Sequence, residues 1–453
     1  MLNFNQDDFT PPISKFEAML KTNQVLFFDA QEFEGIVQYY IDFGKLNLAD
    51  RALEIGINQH PTNGELLLLK SEILIFEGEF KKSLEVIKIA ENFIPQHEEI
   101  FLQKATIASK SKQHYQAIEF LNKALDFSED QNEIWALLGM EYLILEDFQS
   151  AKYYFQLCLK DDILDYQSLY NLLYAYDQLN DSNGAINTLN SILEKDPYSE
   201  VAWHQLGKIY FSQNKFKEAI AAFEFAIISD DKFSGAYIEI GKIQEKLHKY
   251  NLAIENYHIA LEINDPSAFV YYKIAKCHEL LSNHTLFIDF INKAVKVDPT
   301  FEKGWISIIK FFILEKDYEN ALKYGHKAIE SNGDSSFILS LIGDILFLTK
   351  KYSDAVIYFE NIIEINKNYT DKKVWINLID CLIILFKLNR ARVIIDMALK
   401  YFKSSSEILF RLAIIELKLG NNKLAKKHLK LIDKSTINNL LKNDLYSTYR
   451  NIV

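Results

Sequence analysis

The chain has 453 residues, of which 49% are hydrophobic and 25% are charged, an ordinary balance for a soluble globular protein. Its net charge of −12 argues against a general polyanion-binding role. The charge is uneven, since residues 1–100 carry 8 Lys/Arg and 17 Asp/Glu (−9), whereas residues 400–453 carry 11 and 4 (+7). With only 15 Gly and 7 Pro, the composition favours helices over flexible linkers and β-turns.

The sequence predicts a cytoplasmic protein without membrane insertion. Its N-terminus has no basic region followed by an apolar run, so no secretory signal is expected. The longest apolar runs, such as Leu66–Leu69 and Cys381–Phe386, are too short to cross a bilayer. The odd number of cysteines excludes a disulfide framework and is typical of a reducing compartment.

Residues 1–29 are predicted to form a tail and a short capping helix. Pro11 and Pro12 are expected to block any helix before Ile13, which leaves residues 1–12 as a tail. A helix is predicted from Ser14 to about Asn23. Its apolar side would cover the open face of the segment that follows, with the side chains Phe16, Met19 and Leu20.

From residue 30 onward one 34-residue unit recurs. The clearest copy is Glu200–Phe233, which reads as two amphipathic helices with a break at Gln213-Asn214. Extending this frame gives starts at 30, 64, 98, 132, 166, 200, 234, 268, 302, 336, 372 and 406, with a two-residue insertion near Asn368–Asp371. Place 20 of the unit is alanine in ten of the twelve copies. The twelve residues at this place are Ala49, Ser83, Ala117, Ala151, Ala185, Ala219, Ala253, Phe287, Ala321, Ala355, Ala391 and Ala425.

Other places of the unit are equally regular. All four tryptophans stand at place 4, namely Trp135, Trp203, Trp305 and Trp375. Proline stands at place 32, where a helix must stop, in Pro61, Pro95, Pro197 and Pro299. This pattern resembles the tetratricopeptide repeat. The resemblance covers residues 30–435 and implies an all-α, right-handed superhelical solenoid of twelve helix-turn-helix repeats, capped by a C-terminal helix over residues 436–453.

Three departures predict local irregularity. Phe287 replaces the small residue at place 20, so its helices must splay or pack differently. Gly325 removes a core side chain at place 24, and the insertion before Lys372 interrupts the period. One interpretation is a hinge between residues 280 and 372; the other is a purely local irregularity.

No signature of catalysis or of cofactor binding is present. The chain lacks a phosphate loop, a dinucleotide fingerprint, paired metal-ligand motifs and a nucleophile elbow. The spacing of His278 and His284 is a poor one for a metal. Cys158, Cys277 and Cys381 fall at core places, where buried inert thiols are expected. We therefore expect a protein that is not an enzyme and holds no metal or cofactor.

The resemblance implies that the first helices line a concave groove with places 2, 5, 9 and 12. Carried over by place, the candidate groove residues for a protein or peptide partner are Tyr170, Tyr174, His204, Lys208, Phe211, Lys242, Phe269, Tyr272, Lys276 and Lys310. Four of them, Lys208, Lys242, Lys276 and Lys310, occupy place 9 in consecutive units and are called the lysine row below. With neighbouring helices about 8–10 Å apart, the row would span roughly 30 Å.

The lysine row has two interpretations. It could bind a partner segment that bears acidic residues among apolar ones. An extended segment advances about 3.3 Å per residue, so a carboxylate at every third residue could meet successive lysines. The row could also be a solvated face, because Glu245 and Glu279 follow Lys242 and Lys276 at a spacing that permits intrahelical pairing.

The predicted function is therefore a protein-interaction scaffold. One alternative is a regulatory subunit of an enzyme complex. Another is a nucleic-acid or anionic-surface binder that uses the basic C-terminal end, although no aromatic residues interleave its lysines. These lysines are Lys418, Lys423, Lys426, Lys427, Lys430 and Lys434.

Overall fold

The computed structural model of the chain describes residues 10–22, 26–264, 266–333, 335–366, 370–442 and 445–449. Within these ranges the regular structure consists of 26 α-helices and one 3₁₀ turn, without a β-strand. None of the described helices is both long and apolar enough to span a bilayer. The chain is an all-α repeat solenoid.

Helices α2 to α25 form pairs. The first helix of each pair has 13 residues and begins where the sequence pattern places the start of a unit. The first helices are α2 (Ala30–Asp42), α4 (Gly64–Phe76), α6 (Glu98–Lys110), α8 (Asn132–Ile144), α10 (Tyr166–Gln178), α12 (Glu200–Ser212), α14 (Ser234–Lys246), α16 (Ala268–Leu280), α18 (Glu302–Leu314), α20 (Ser336–Leu348), α22 (Lys372–Ile384) and α24 (Ser406–Lys418).

The second helices range from 8 to 15 residues. They are α3 (Leu46–Gln59), α5 (Phe80–Ala90), α7 (His114–Leu125), α9 (Phe148–Asp161), α11 (Ser182–Lys195), α13 (Phe216–Ser229), α15 (Tyr250–Ile263), α17 (His284–Val297), α19 (Tyr318–Asn332), α21 (Tyr352–Ile365), α23 (Leu388–Tyr401) and α25 (Asn422–Leu429).

The chain divides into two compact units. The first ends at Pro197 and contains α1 to α11, and the second begins at Tyr198 and contains the remaining helices. Within each unit, a first helix packs against its own second helix, and that second helix packs against the next first helix. This stacking buries the apolar faces that one pair could not bury alone.

In four of the pairs, close contact depends on a glycine facing an aromatic ring. A Cβ on Gly207, at place 8, would lie 2.6 Å from the ring of Phe223, at place 24. The same relation holds for Gly139 with Phe155, Gly241 with Tyr257 and Gly343 with Phe359. The absence of a side chain on the first helix therefore makes room for a buried ring on the second.

The turn between paired helices has one conformation throughout. Place 15 adopts a left-handed backbone in all twelve pairs, with φ between 53° and 83°. In the sixth pair, Lys215 N–H donates to the carbonyl of Tyr210 at 2.9 Å, and Asn214 N–H donates to that of Phe211 at 3.0 Å. This pattern is that of the Schellman motif, which satisfies the last carbonyls of a helix.

The N-terminal capping helix, α1, is longer than predicted. It spans Thr10–Thr22 and includes both prolines in its first turn, so the expectation that they block a helix before Ile13 is wrong. Amides in the first turn have no intrahelical partner, and proline loses nothing there. Residues 1–9 of the predicted tail lie outside the described residues. The ring of Phe16 is fully buried, 6.0 Å from Phe28 and 6.2 Å from Tyr40.

The irregular region after residue 280 has a continuous core. Phe287 is fully buried, and its ring lies 4.9 Å from that of Phe311 on the next first helix. A Cβ added at Gly325 would lie 2.7 Å from Ile342 of the following pair, so the side chain of Ile342 fills the vacant space. One apolar cluster runs from Ala253 to Tyr446 across this region. The predicted hinge stays a prediction, and residues 367–369 near the insertion lie outside the described part.

The C-terminal end is not one helix over residues 436–453. Its described part comprises a short helix, α26 (Lys434–Leu440), and a 3₁₀ turn (Ser447–Tyr449). Tyr446 between them is buried, and its hydroxyl donates to the carboxylate of Asp380. Asp380 also accepts from the buried guanidinium of Arg411, with Nη2 2.7 Å from Oδ2. This buried ion pair anchors the end of the chain to α22 and α24.

Candidate functional site

The lysine row lies entirely in the second compact unit, one lysine on each of α12, α14, α16 and α18. Lys208 and Lys310 are exposed. The side chains of Lys242 and Lys276 are 29% and 35% exposed. Four successive first helices therefore carry a lysine at the same register position.

Two of these lysines are neutralised within their own helices. Lys242 Nζ lies 2.7 Å from Glu239 Oε1, and Lys276 pairs with Glu279. The predicted pairing of Lys276 with Glu279 is thus present, but Lys242 pairs with Glu239 rather than Glu245. Glu245 instead accepts from Tyr257 at 2.6 Å and from Lys273 at 2.8 Å, and these bonds hold it between α15 and α16.

The other two lysines, Lys208 and Lys310, make no ion pair with any residue in the described ranges. Lys310 Nζ lies 5.1 Å from the ring centroid of Phe337, the second residue of the next first helix. Lys242 has the same relation to Phe269, at 5.5 Å. An ammonium over a ring face at this distance contributes about 0.5–1 kcal/mol at an exposed site. The rings position these lysines without neutralising their charge.

His204 is half-buried and packs between aromatic rings, and its place in a groove stays a prediction. Its Nε2 atom is buried without a hydrogen-bond partner, and its ring packs 5.1 Å from Phe233 and 5.5 Å from Phe223. Burial lowers the pKa of His204 to about 4, with Lys208 and Lys242 acting in the same direction and Glu239 opposing them. The imidazole is therefore neutral at pH 7 and acts as a packing group.

The predicted aromatic groove residues are divided between the two compact units. Phe211 is half-buried, with Lys246 Nζ 4.7 Å from its ring centroid. Tyr272 is half-buried and packs edge-to-face on Phe301 at 5.5 Å. Tyr170 and Tyr174 are 45% and 52% exposed but belong to the first unit. Their membership of one groove with the lysine row stays a prediction.

The structure also contains an apolar groove that the sequence analysis missed. It encloses about 430 Å³ on α18, α20 and α22. Its lining consists of Lys310, Ile313, Leu314, Leu341, Asp344, Phe347, Leu348, Lys373 and Asn377. Leu314 and Leu348 are 76% and 54% exposed. The repetition of large apolar residues at places 12 and 13 in consecutive units is the signal that could have found it.

The charge of this groove comes from Lys310. Among the described residues of the lining, Asp344 alone is acidic, and it is matched by Lys373 Nζ at 2.5 Å and Asn377 Nδ2 at 2.8 Å. The groove therefore presents apolar side chains beside one unmatched cation. Such a surface can accept an apolar side chain with a carboxylate close to it.

The other candidate chemistry is structural. All three cysteines are buried and unpaired, and burial raises the pKa of Cys277 and of Cys381 to about 12. No cluster of metal-ligating side chains occurs among the described residues. At the basic C-terminal end, Lys418 lies 4.4 Å from the ring centroid of Phe386. The remaining lysines of that end, Lys423, Lys426, Lys427, Lys430 and Lys434, are exposed.

Solved structures with detectable similarity share little sequence with this chain. The MamA protein is 23% identical over 38% of this chain and 94% of its own, with a TM-score of 0.32. A chain in the structure of Naa15/Naa10 bound to HypK-THB is 13% identical over 89% of this chain and 68% of its own, with a TM-score of 0.37. A tetratricopeptide repeat protein from Parabacteroides merdae is 16% identical over 55% and 98%, with a TM-score of 0.35. No curated protein matches the chain.

The family comparison agrees with the repeat frame. The model for the tetratricopeptide repeat matches residues 98–131, 133–160, 166–198, 201–227 and 338–369. Each match starts within the first three residues of a first helix. These matches lie in register with the helix pairs and identify five of the repeats as similar to the tetratricopeptide repeat.

Proposed function

We propose that the chain is a non-enzymatic scaffold that holds a segment of a partner protein against the first helices of its second unit. The segment carries acidic residues among apolar ones, in extended or helical form. The groove on α18, α20 and α22 carries this proposal, because exposed apolar side chains there adjoin the unmatched Lys310. The regularly spaced lysine row extends the same surface toward α12.

The apolar part of the groove supplies the affinity. Leu314 and Leu348 expose most of their surface, and full burial of a leucine side chain is worth about 1.5–3 kcal/mol. A partner's leucine, phenylalanine or methionine would cover both. Charge alone could not supply this, since exposed ion pairs contribute only about 0.2–1 kcal/mol each.

The lysines select the charge of the partner. Lys208 and Lys310 are free to pair with carboxylates, whereas Lys242 and Lys276 already have intrahelical partners. Those intrahelical pairs are worth only about 0.2–0.5 kcal/mol, so a partner carboxylate can replace Glu239 or Glu279 at small cost. An acidic segment would therefore engage the two ends of the row first.

The test uses two labelled peptides. The acidic peptide has Glu at every third position and Leu or Ser elsewhere; at about twelve residues it spans the row. The basic peptide has Lys in place of each Glu. We expect the wild type to prefer the acidic peptide at the lysine row. Replacing all four lysines, Lys208, Lys242, Lys276 and Lys310, by Ser should weaken its binding by about tenfold or more, a change of about 1.4 kcal/mol.

A matched variant controls for net charge. Lys217, Lys249, Lys296 and Lys323 are exposed lysines on or at the ends of the second helices of the same four pairs. Their replacement by Ser should leave acidic-peptide binding unchanged. Leu314→Ser with Leu348→Ser should weaken binding while helicity by circular dichroism is retained. If the wild type and a folded lysine-row variant bind the acidic peptide equally, the lysine row is a solvated face and not a binding surface.

A further inference from the structure

The first unit carries a surface of opposite charge on its first helices. Glu99 and Glu133 are the second residues of α6 and α8, and Glu72 is the ninth residue of α4. Glu72 and Glu133 are exposed and Glu99 is half-buried. These three carboxylates are called the acidic surface.

Glu72 and Glu133 are each close enough to Glu99 to affect its charge. The pKa of Glu99 is raised to about 7, first by burial and further by Glu72, Glu133 and Glu98, against a hydrogen bond from Gln103. Gln103 Nε2 donates both to Glu99 at 3.0 Å and to the Leu68 carbonyl on α4 at 3.0 Å. The surface thus joins adjacent first helices.

No cation of the described chain neutralises this surface. None of the three carboxylates makes an ion pair within the described ranges. The nearby lysines of α4 and α6 pair elsewhere: Lys70 pairs with Asp50, and Lys104 Nζ lies 2.9 Å from Glu91. Glu72 and Glu133 have no counter-charge among the described residues, and Glu99 is held partly protonated near them, so a bound cation would lower the electrostatic energy of this surface.

A second observation points to a missing donor. Gln103 is 4% exposed, and its Oε1 atom is buried without a hydrogen-bond partner, although both bonds of its Nε2 hold the amide beside Glu99. An unpaired buried carbonyl oxygen costs about 1–3 kcal/mol.

Exposed apolar side chains continue the surface on α8 and α10. Leu137, Met140 and Ile144 follow Glu133 at four, seven and eleven residues, which places them on one side of α8. They are 37%, 41% and 52% exposed. The exposed Tyr170 and Tyr174 occupy α10. Large apolar side chains grouped in this way mark an interaction surface.

We infer that the acidic surface and the adjoining apolar side chains form a second docking surface, which takes a partner segment with Lys or Arg next to apolar residues. The side-chain N–H groups of such a segment would pair with Glu72, Glu99 and Glu133. The occupant is basic because the surface holds uncompensated negative charge. This second docking surface is independent of the proposed function, because it lies in the other compact unit and carries the opposite charge.

The experiment measures binding of the basic peptide defined above by fluorescence anisotropy. Wild type should bind this peptide. The variant with Glu72→Gln, Glu99→Gln and Glu133→Gln should bind it at least about tenfold more weakly. The matched control replaces Glu54, Glu85 and Glu119, exposed acids on the second helices of the same unit, by Gln. It changes the net charge equally and should bind as the wild type does.

The two surfaces are distinguished by the acidic peptide, whose binding the acidic-surface variant should retain. Equal loss of the basic peptide in the surface and control variants would reduce the effect to net charge and overturn the inference. So would self-association of the wild type that is lost when Lys423, Lys426, Lys427 and Lys430 become Ser, because the occupant would then be a second copy. Unchanged basic-peptide binding by a folded surface variant would also overturn it.

Discussion

A methyl group added at Gly207 tests whether glycine–ring contacts set the spacing of the helix pairs. In Gly207→Ala the new Cβ would lie 2.6, 2.7 and 2.8 Å from three ring atoms of Phe223. The ring is fully buried, so it has no free space into which to retreat. Overpacking of this kind costs about 1–3 kcal/mol. Alanine in place of glycine in a helix gains about 1 kcal/mol, and we expect a net loss of about 1 kcal/mol.

The assay must resolve single pairs, because stacked repeats do not unfold as one two-state unit. Hydrogen–deuterium exchange of α12 and α13 gives the local free energy of opening, and urea unfolding followed by circular dichroism gives the overall effect. Gly235→Ala is the control, since its Cβ would be no closer than 3.4 Å to another atom. It should be neutral or stabilising.

A second substitution makes the reasoning refutable. In Gly207→Ala with Phe223→Leu the smaller side chain relieves the clash, so the two changes should be less destabilising together than the sum of their separate effects. Coupling of about 0.5–3 kcal/mol is expected for residues in contact. Additive effects, or a Gly207→Ala variant as stable as the wild type, would show that the ring does not set the helix spacing.

Four further substitutions test the core and two buried charges. Trp375→Ala should cost about 3–5 kcal/mol by thermal unfolding, and Trp203→Ala less, because Trp375 is fully buried and Trp203 only partly. Asp380→Ala should cost about 3–5 kcal/mol, seen as faster hydrogen exchange in α24, because Arg411 would stay buried without its partner. Glu99 has a pKa raised from 4.5 to about 7, so the wild type loses stability as pH rises through that window. Glu99→Gln should match the wild type near pH 4 and exceed it by about 3 kcal/mol at pH 8 in thermal unfolding.

The positions of the helices could be predicted from the sequence because they follow directly from steric periodicity. Place 20 is small in eleven of the twelve units and place 4 is large in all of them, so an uncertain position in one copy is fixed by the others. The first helices begin at the residues the frame names, from Ala30 to Ser406. The left-handed conformation at place 15 could not be predicted from residue type. Gly or Asn, which favour it, stand there in only some units, and residues such as Phe386 and His248 adopt it in others.

The site was harder to predict because it depends on partners rather than on periodicity. The place pattern identified the lysine row but not which lysines are neutralised. Glu239 lies three residues before Lys242 and Glu245 three residues after it, so spacing alone permits either pair. The structure decides between them because Tyr257 and Lys273 occupy Glu245 from the neighbouring helices.

The distribution of paired and unpaired charge explains why the proposals concern the first helices. A charge that already has a partner in the chain, such as Lys104 with Glu91, gains little from a ligand, which must displace that partner. Lys310 and Glu133 have no such partner among the described residues, and each adjoins exposed apolar side chains. A ligand there adds ion pairing to apolar burial at no such cost. Salt screens ion pairing but not apolar burial. Rising ionic strength should therefore weaken the binding of both peptides and leave a residual affinity from the apolar contacts.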